Sequence, residues 1–191
     1  MTKEDKKILL QLVTLTEMMV YPTATDSLVN FIHGYETGRK KKFNFIPLLQ
    51  EFITVNYKIK PTNLGWPQQL TTLAEKKGIS WMIVFKQITL EVIVQECDGN
   101  LEQPLKRMLV KRITSLIEHI RNPLYDNWSI NWQGITATNK KWFKQLWNNK
   151  ELKIIKAITR EIKVNNLYAN PITKTPSIKL LALKNKFILI K

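Results

Sequence analysis

Apolar residues recur at helical spacing through most of this chain, which leaves little of it free to build a sheet. Trp81, Val84, Phe85, Ile88 and Val92 form one stripe, and Leu105, Met108, Leu109, Ile113, Leu116, Ile117 and Ile120 form another. Ile8, Leu12, Leu15 and Met19, spaced by four, three and four, form a third. Side chains at such spacing lie on one face of a 3.6-residue helix, and that face must be buried against another element. The punctuation agrees. Thr2 and Asp5 can cap the first helix, and Tyr21-Pro22 ends it because proline disfavours helical geometry just before itself. A second helix starts at Thr23 or Thr25, carries Leu28, Phe31, Ile32 and Tyr35, and stops at Gly38. Pro47 opens a third, with Leu48, Leu49, Phe52 and Ile53 as its apolar side. A short one from about Gln68 ends at Lys76-Lys77-Gly78, with cations at its negative end and glycine just beyond. Asp98-Gly99 closes the Trp81 helix, and Pro104 and Asn122-Pro123 bracket the next.

Two more helices are expected near residues 139–149 and 150–164. The Ile-, Leu- and Lys-rich stretch at 177–191 then breaks the pattern. Lys184-Asn185 can turn a hairpin between residues 178–183 and 186–190. The expected fold is therefore mainly α, seven or eight helices in an orthogonal or bundle-like array, with a small C-terminal β-hairpin.

At 191 residues with 44% hydrophobic content, the chain has ample apolar material for a core, which excludes wholesale disorder. Its one cysteine, Cys97, excludes an internal disulfide framework and a multi-cysteine zinc site. No apolar run approaches the roughly 18–20 residues of a membrane span. The N-terminal Lys-Ile-Leu-Leu stretch differs from a signal peptide, because Glu4 and Asp5 interrupt its basic part and Gln11, Thr14, Thr16 and Glu17 its apolar part. A cytoplasmic location and no membrane partner are expected.

Charge divides the chain. The net formal charge is +15, of which residues 1–121 carry +5 and residues 122–191 carry +10. The last 70 residues also hold four of the six tryptophans, Trp128, Trp132, Trp142 and Trp147. The organisation expected is a helical core over 1–121 followed by a basic, Trp-rich helical region over 122–191. The break near 122–135 is either a domain boundary or a long loop within one fold.

Lys153, Lys156, Arg160 and Lys163 fall within roughly 80° of arc on a helix, with Ile154, Ile155, Ile158 and Ile162 on the opposite side. Such a helix can dock its isoleucines and present a cationic ridge to an acidic partner. Exposed Trp142 and Trp147 beside it would offer stacking faces to unpaired bases. A solvated, lysine-rich surface is the plainer alternative. Arg39-Lys40-Lys41-Lys42 forms a second candidate basic surface, a loop that Phe43 and Phe45 would anchor to the core.

Motifs for catalysis are missing from the sequence. It has no glycine-rich phosphate loop, no paired histidines at metal spacing and no Gly-x-Ser-x-Gly. Cys97 with His33 or His119 could pair as nucleophile and base, but nothing in the spacing places them together. Asp126 with Glu151-Leu152-Lys153 has the residue types of a magnesium nuclease, yet in a helix where that chemistry needs a strand. No catalytic residue, metal, cofactor or small-molecule substrate is expected, and the chain is read as a non-enzyme.

One stretch carries a resemblance. Phe31-Ile32-His33-Gly34-Tyr35-Glu36, then Phe45, Leu48, Leu49, Phe52 and Tyr57, Gly65-Trp66, Gln69-Leu70 and Phe85-Lys86-Gln87-Ile88 are similar to helical immunity proteins of bacterial toxin systems (contact-dependent inhibition and polymorphic toxins). The resemblance covers roughly residues 28–95. It implies a non-catalytic protein that binds and blocks one cognate toxin, and it carries no site residues with it. Immunity proteins against nucleases are usually acidic, so a +15 chain implies an acidic toxin surface or a toxin that is not a nuclease. The function expected is thus an immunity-like inhibitor, with a nucleic-acid-binding accessory protein as the alternative. In either case the partner-binding residues expected are Lys153, Lys156, Arg160, Lys163, Trp142 and Trp147.

Overall fold

The structure is a computed structural model that describes residues 1–39, 42–120, 122, 127–169 and 174–190. Among the described residues there are eleven helices and no strand. They are α1 (Lys3–Thr14), α2 (Thr16–Met19), α3 (Thr25–Gly38), α4 (Phe45–Tyr57), α5 (Gly65–Lys77), α6 (Trp81–Gln95), α7 (Gln103–Glu118), α8 (Trp128–Ile135), α9 (Lys141–Leu146), α10 (Asn149–Val164) and α11 (Ile178–Leu189).

Helix α6 is the axis of the molecule. Ser80 caps it by accepting from the Ile83 N–H, and α1, α4, α5 and α8 all pack against it. It is therefore buried on nearly every side, as its almost uninterrupted apolar run requires, rather than along one stripe. Around it α1 lies against α7, and α8 bridges α1, α6 and α7. At the other end α10 and α11 form a pair, and α11 reaches α7. One contiguous set of buried apolar side chains runs from Leu9 through Phe85 and Trp132 to Ile158 and Phe187.

Three helices exceed the eight that the spacing implied. The first stripe is interrupted at Leu15 (φ −133°, ψ 43°), so that α2 follows α1 as a separate turn. Thr14 and Thr16 donate to the carbonyls of Leu10 and Leu12, the back-bonding by which β-branched hydroxyl residues disturb helices. Helix α8 occupies residues 128–135 of the stretch read as a boundary or loop. Trp128 and Trp132 stack at 5.7 Å within the core, and Trp128 Nε1 donates to the Leu116 carbonyl at 2.7 Å.

The third extra helix overturns the C-terminal hairpin. Residues 178–189 are helical, and Lys184-Asn185 is helix interior rather than a turn. Ser177 caps the segment by accepting from the Leu180 N–H. Leu180 and Phe187, seven residues apart, are the two buried anchors, which is a helical and not an alternating period. Leu, Ala and Lys are good helix formers, and the docked face supplies the rest.

No single helix among the described residues is long and apolar enough to cross a membrane. The bent pair α5 and α6 passes on length and composition alone, and its apolar side chains form the core described above.

Candidate functional site

The cationic ridge is built from the start of α10. Asn148 accepts from the Glu151 N–H at 2.9 Å, and Glu151 accepts from the Asn148 N–H at 3.0 Å, a reciprocal capping box. Four isoleucines, 154, 155, 158 and 162, are buried and hold the helix to the core. Lys153, Lys156, Arg160 and Lys163 are all exposed on the other side, and none makes an ion pair with a described residue. The capping role of Glu151 also accounts for it without a metal. Asp126, its suggested partner, lies outside the described residues. Among the described residues no group of three or more His, Cys, Asp or Glu could hold a metal ion.

The tryptophans do not join the ridge. Trp147 is 5% exposed and packs on Phe143 at 5.7 Å, so it is a core residue and offers no face for stacking. Trp142 is half-buried, edge-on to Phe143, and lines a cleft with Phe52 and Glu91 of α4 and α6. Both belong to the short α9 region, in which Phe143 and Leu146 are buried as well.

The basic loop is also altered. Lys40 and Lys41 lie outside the described residues, and Lys42 is exposed. Arg39 is tied to the buried Asp5, its Nε donating to Oδ1 at 3.1 Å. Burial opposes the charge on Asp5, but hydrogen bonds from Thr2 and Tyr35 and the Arg39 guanidinium hold its carboxyl below the usual range. Arg39 therefore clamps α3 to the start of α1. Phe43 and Phe45 are buried as anchors of the loop.

Cysteine and histidines have separate environments. His33 Nε2 accepts from Trp66 Nε1 at 3.3 Å, His119 Nδ1 lies 2.8 Å from the Ser115 carbonyl, and the Cys97 sulfur faces Lys6 Nζ at 3.5 Å.

Two polar clusters were not foreseen from the sequence. In the cleft, of about 410 Å³, Lys140 Nζ donates to Tyr57 Oη at 3.0 Å and pairs with Glu91 at 3.3 Å, while Tyr57 donates to Glu91 at 3.0 Å. Lys77 lies over the same Tyr57 ring at 4.5 Å. Burial, and then the charge of Lys140, push the Lys77 ammonium below its ordinary range. Burial would lower Lys140 too, but the Tyr57 hydrogen bond and Glu91 outweigh it and raise its pKa.

The second cluster surrounds Lys86, which is 1% exposed within α6. Its Nζ donates to the Val13 carbonyl at 2.7 Å and to Thr16 Oγ1. Burial lowers its pKa to about 8; Glu17 opposes that shift and Arg112 adds to it. Asn131 donates to Glu17 at 2.6 Å, and these groups border a cavity of about 60 Å³. The cluster joins the α1–α2 break to α6 and α8, which is a structural task.

No family model, no curated protein and no solved structure matches this chain.

Proposed function

We propose that this chain is a non-catalytic binding protein, an immunity-like inhibitor that engages an acidic surface of a cognate toxin through the α10 ridge. The observation that carries the reading is the set of four exposed cations, unpaired by any described residue, on a helix fixed by its capping box and four buried isoleucines. A charge array on a docked helix suits electrostatic recognition of a protein partner, because complementarity raises the association rate and rejects like-charged partners. The segment that resembles immunity proteins supports it in part. Its Trp66 and Phe85 pack together in the core, and the exposed His33 accepts from Trp66 Nε1 at the rim of that packing.

A nucleic-acid backbone is the second reading, favoured by the +10 carried on residues 122–191. Single strands fit it less well, since buried Trp147 gives the ridge no stacking platform. Fluorescence anisotropy with polyglutamate and with a random DNA duplex separates the readings. Preference for polyglutamate at matched ionic strength supports a protein partner. Preference for the duplex, with a steep fall in affinity as salt rises, would replace it with nucleic acid.

A further inference from the structure

We infer that the solvent-facing apolar stripe of α11 is the affinity-giving half of the partner interface and receives an acidic amphipathic helix of the partner protein. This rests on the reading of α10 as the charged half. Helix α11 is apolar on two sides. Leu180 and Phe187 anchor the docked side, and on the opposite side Ile178 is 88%, Leu181 42% and Leu189 84% exposed. At 100° per residue Ile178, Leu181, Ala182, Asn185 and Leu189 fall within about 100° of arc, so they form one stripe about 16 Å long, the length of a three-turn helix.

The stripe begins beside the ridge. Glu161, next to Arg160, accepts from Ser177 Oγ at 3.4 Å and pairs with Lys179 at 2.5 Å, which pins the first turn of α11 to α10. The Lys179 ammonium holds the Glu161 carboxyl below its usual range, so the tie resists acid better than an unshifted carboxylate would.

Charge selects the occupant. Helix α11 carries Lys179, Lys184 and Lys186 and no acid, so a second copy of this helix meets like charge across the stripe. A partner segment must be apolar on the face that covers Ile178 and Leu189 and acidic on its flanks. Rim cations alone contribute mostly to association rate, whereas buried aliphatic anchors contribute to complex lifetime.

The test uses three probes on the full chain and on an Ile178→Ser/Leu189→Ser variant, whose changes fall on exposed positions and whose fold is checked by circular dichroism. The probes are polyglutamate, a helical peptide of about 20 residues with leucine on one face and glutamate on the other, and phosphatidylglycerol vesicles. The amphipathic peptide should bind the parent at least about tenfold more tightly than polyglutamate, and the variant should lose that margin while keeping its polyglutamate affinity. Equal affinity for the two peptides, or a margin that survives in the variant, overturns the inference. Vesicle binding lost in the variant, without any peptide margin, overturns it in favour of lipid. Self-association lost in the variant overturns it in favour of a second copy. Failure of the parent to bind polyglutamate sinks the ridge reading itself, so the two failures appear on different probes.

Discussion

Gly134 of α8 lies directly against the aliphatic stem of Lys86, so close that a Cβ at position 134 would sit 2.5 Å from Lys86 Cδ and 2.8 Å from its Cβ. This approach is what lets α8 close over α6 and seals Lys86 from solvent. Gly134→Ala should therefore destabilise the fold by about 1–3 kcal/mol, the usual cost of overpacking. Urea denaturation measures it, and a change under about 0.5 kcal/mol would mean that the two helices can part without penalty.

Lys86 makes stability depend on pH in a predictable sense. Its folded pKa is about 8, against an ordinary 10.5. Between those values the unfolded chain binds a proton that the folded chain does not, so stability rises with pH across that window. Below about 8 both states are charged and the burial penalty is fully present. The parent should gain on the order of 3 kcal/mol relative to Lys86→Met as pH goes from about 8 to about 10.5. Taking the difference between the two proteins cancels the opposing contribution of Tyr168, whose burial raises its pKa to about 12. A difference that stays flat from pH 7 to 10.5 would show that Lys86 is not held in this desolvated state.

Glu91 is the carboxylate that reconciles Lys140 with Tyr57, and its own side chain is 12% exposed. Glu91→Gln leaves Lys140 and Lys77 facing one phenol without a counter-charge. A loss of about 1 kcal/mol is expected, modest because Lys140 is partly open to water. Thermal melts at low and high salt check it, and the loss should shrink at high salt as the two ammonium groups are screened.

Asn148 and Glu151 begin the helix that carries the ridge. Asn148→Ala should cost about 1 kcal/mol by freeing N–H groups of the first turn. Polyglutamate affinity should fall far less than stability does, because the four isoleucines still seat α10. Equilibrium denaturation and anisotropy on the same variant separate the two effects.

The stripes of α6 and α7 were legible in the sequence because each repeats over three or more turns, whereas the first stripe breaks at Leu15 and buries Leu12 but leaves Ile8, Leu15 and Met19 half-buried. The amphipathic placement on α10 is as the spacing implied, with the four isoleucines buried and the four cations exposed. The 178–189 segment was not legible as a helix, because a short Ile/Leu/Lys run with only two buried anchors fits either period. The tryptophans misled for another reason. Sequence shows Trp142 and Trp147 among Lys141, Lys144 and Lys150, but not that Trp147 turns inward onto Phe143 or that Trp142 is half-buried against it. Lys86 did leave a signal, a lone cation inside the apolar run of the Trp81 helix. Tyr57, Glu91 and Lys140 left none, since tertiary packing alone brings together residues 34 and 83 positions apart.

The ridge is tested most directly by replacing Lys153, Lys156, Arg160 and Lys163 together with glutamine and measuring polyglutamate affinity by anisotropy at about 50 and about 200 mM salt. All four side chains are exposed, so the melting temperature should hold. The parent should lose affinity steeply as salt rises, and the variant should bind weakly at both concentrations. Parent and variant binding alike, with the same salt dependence, would contradict it and leave the ridge as solvated surface.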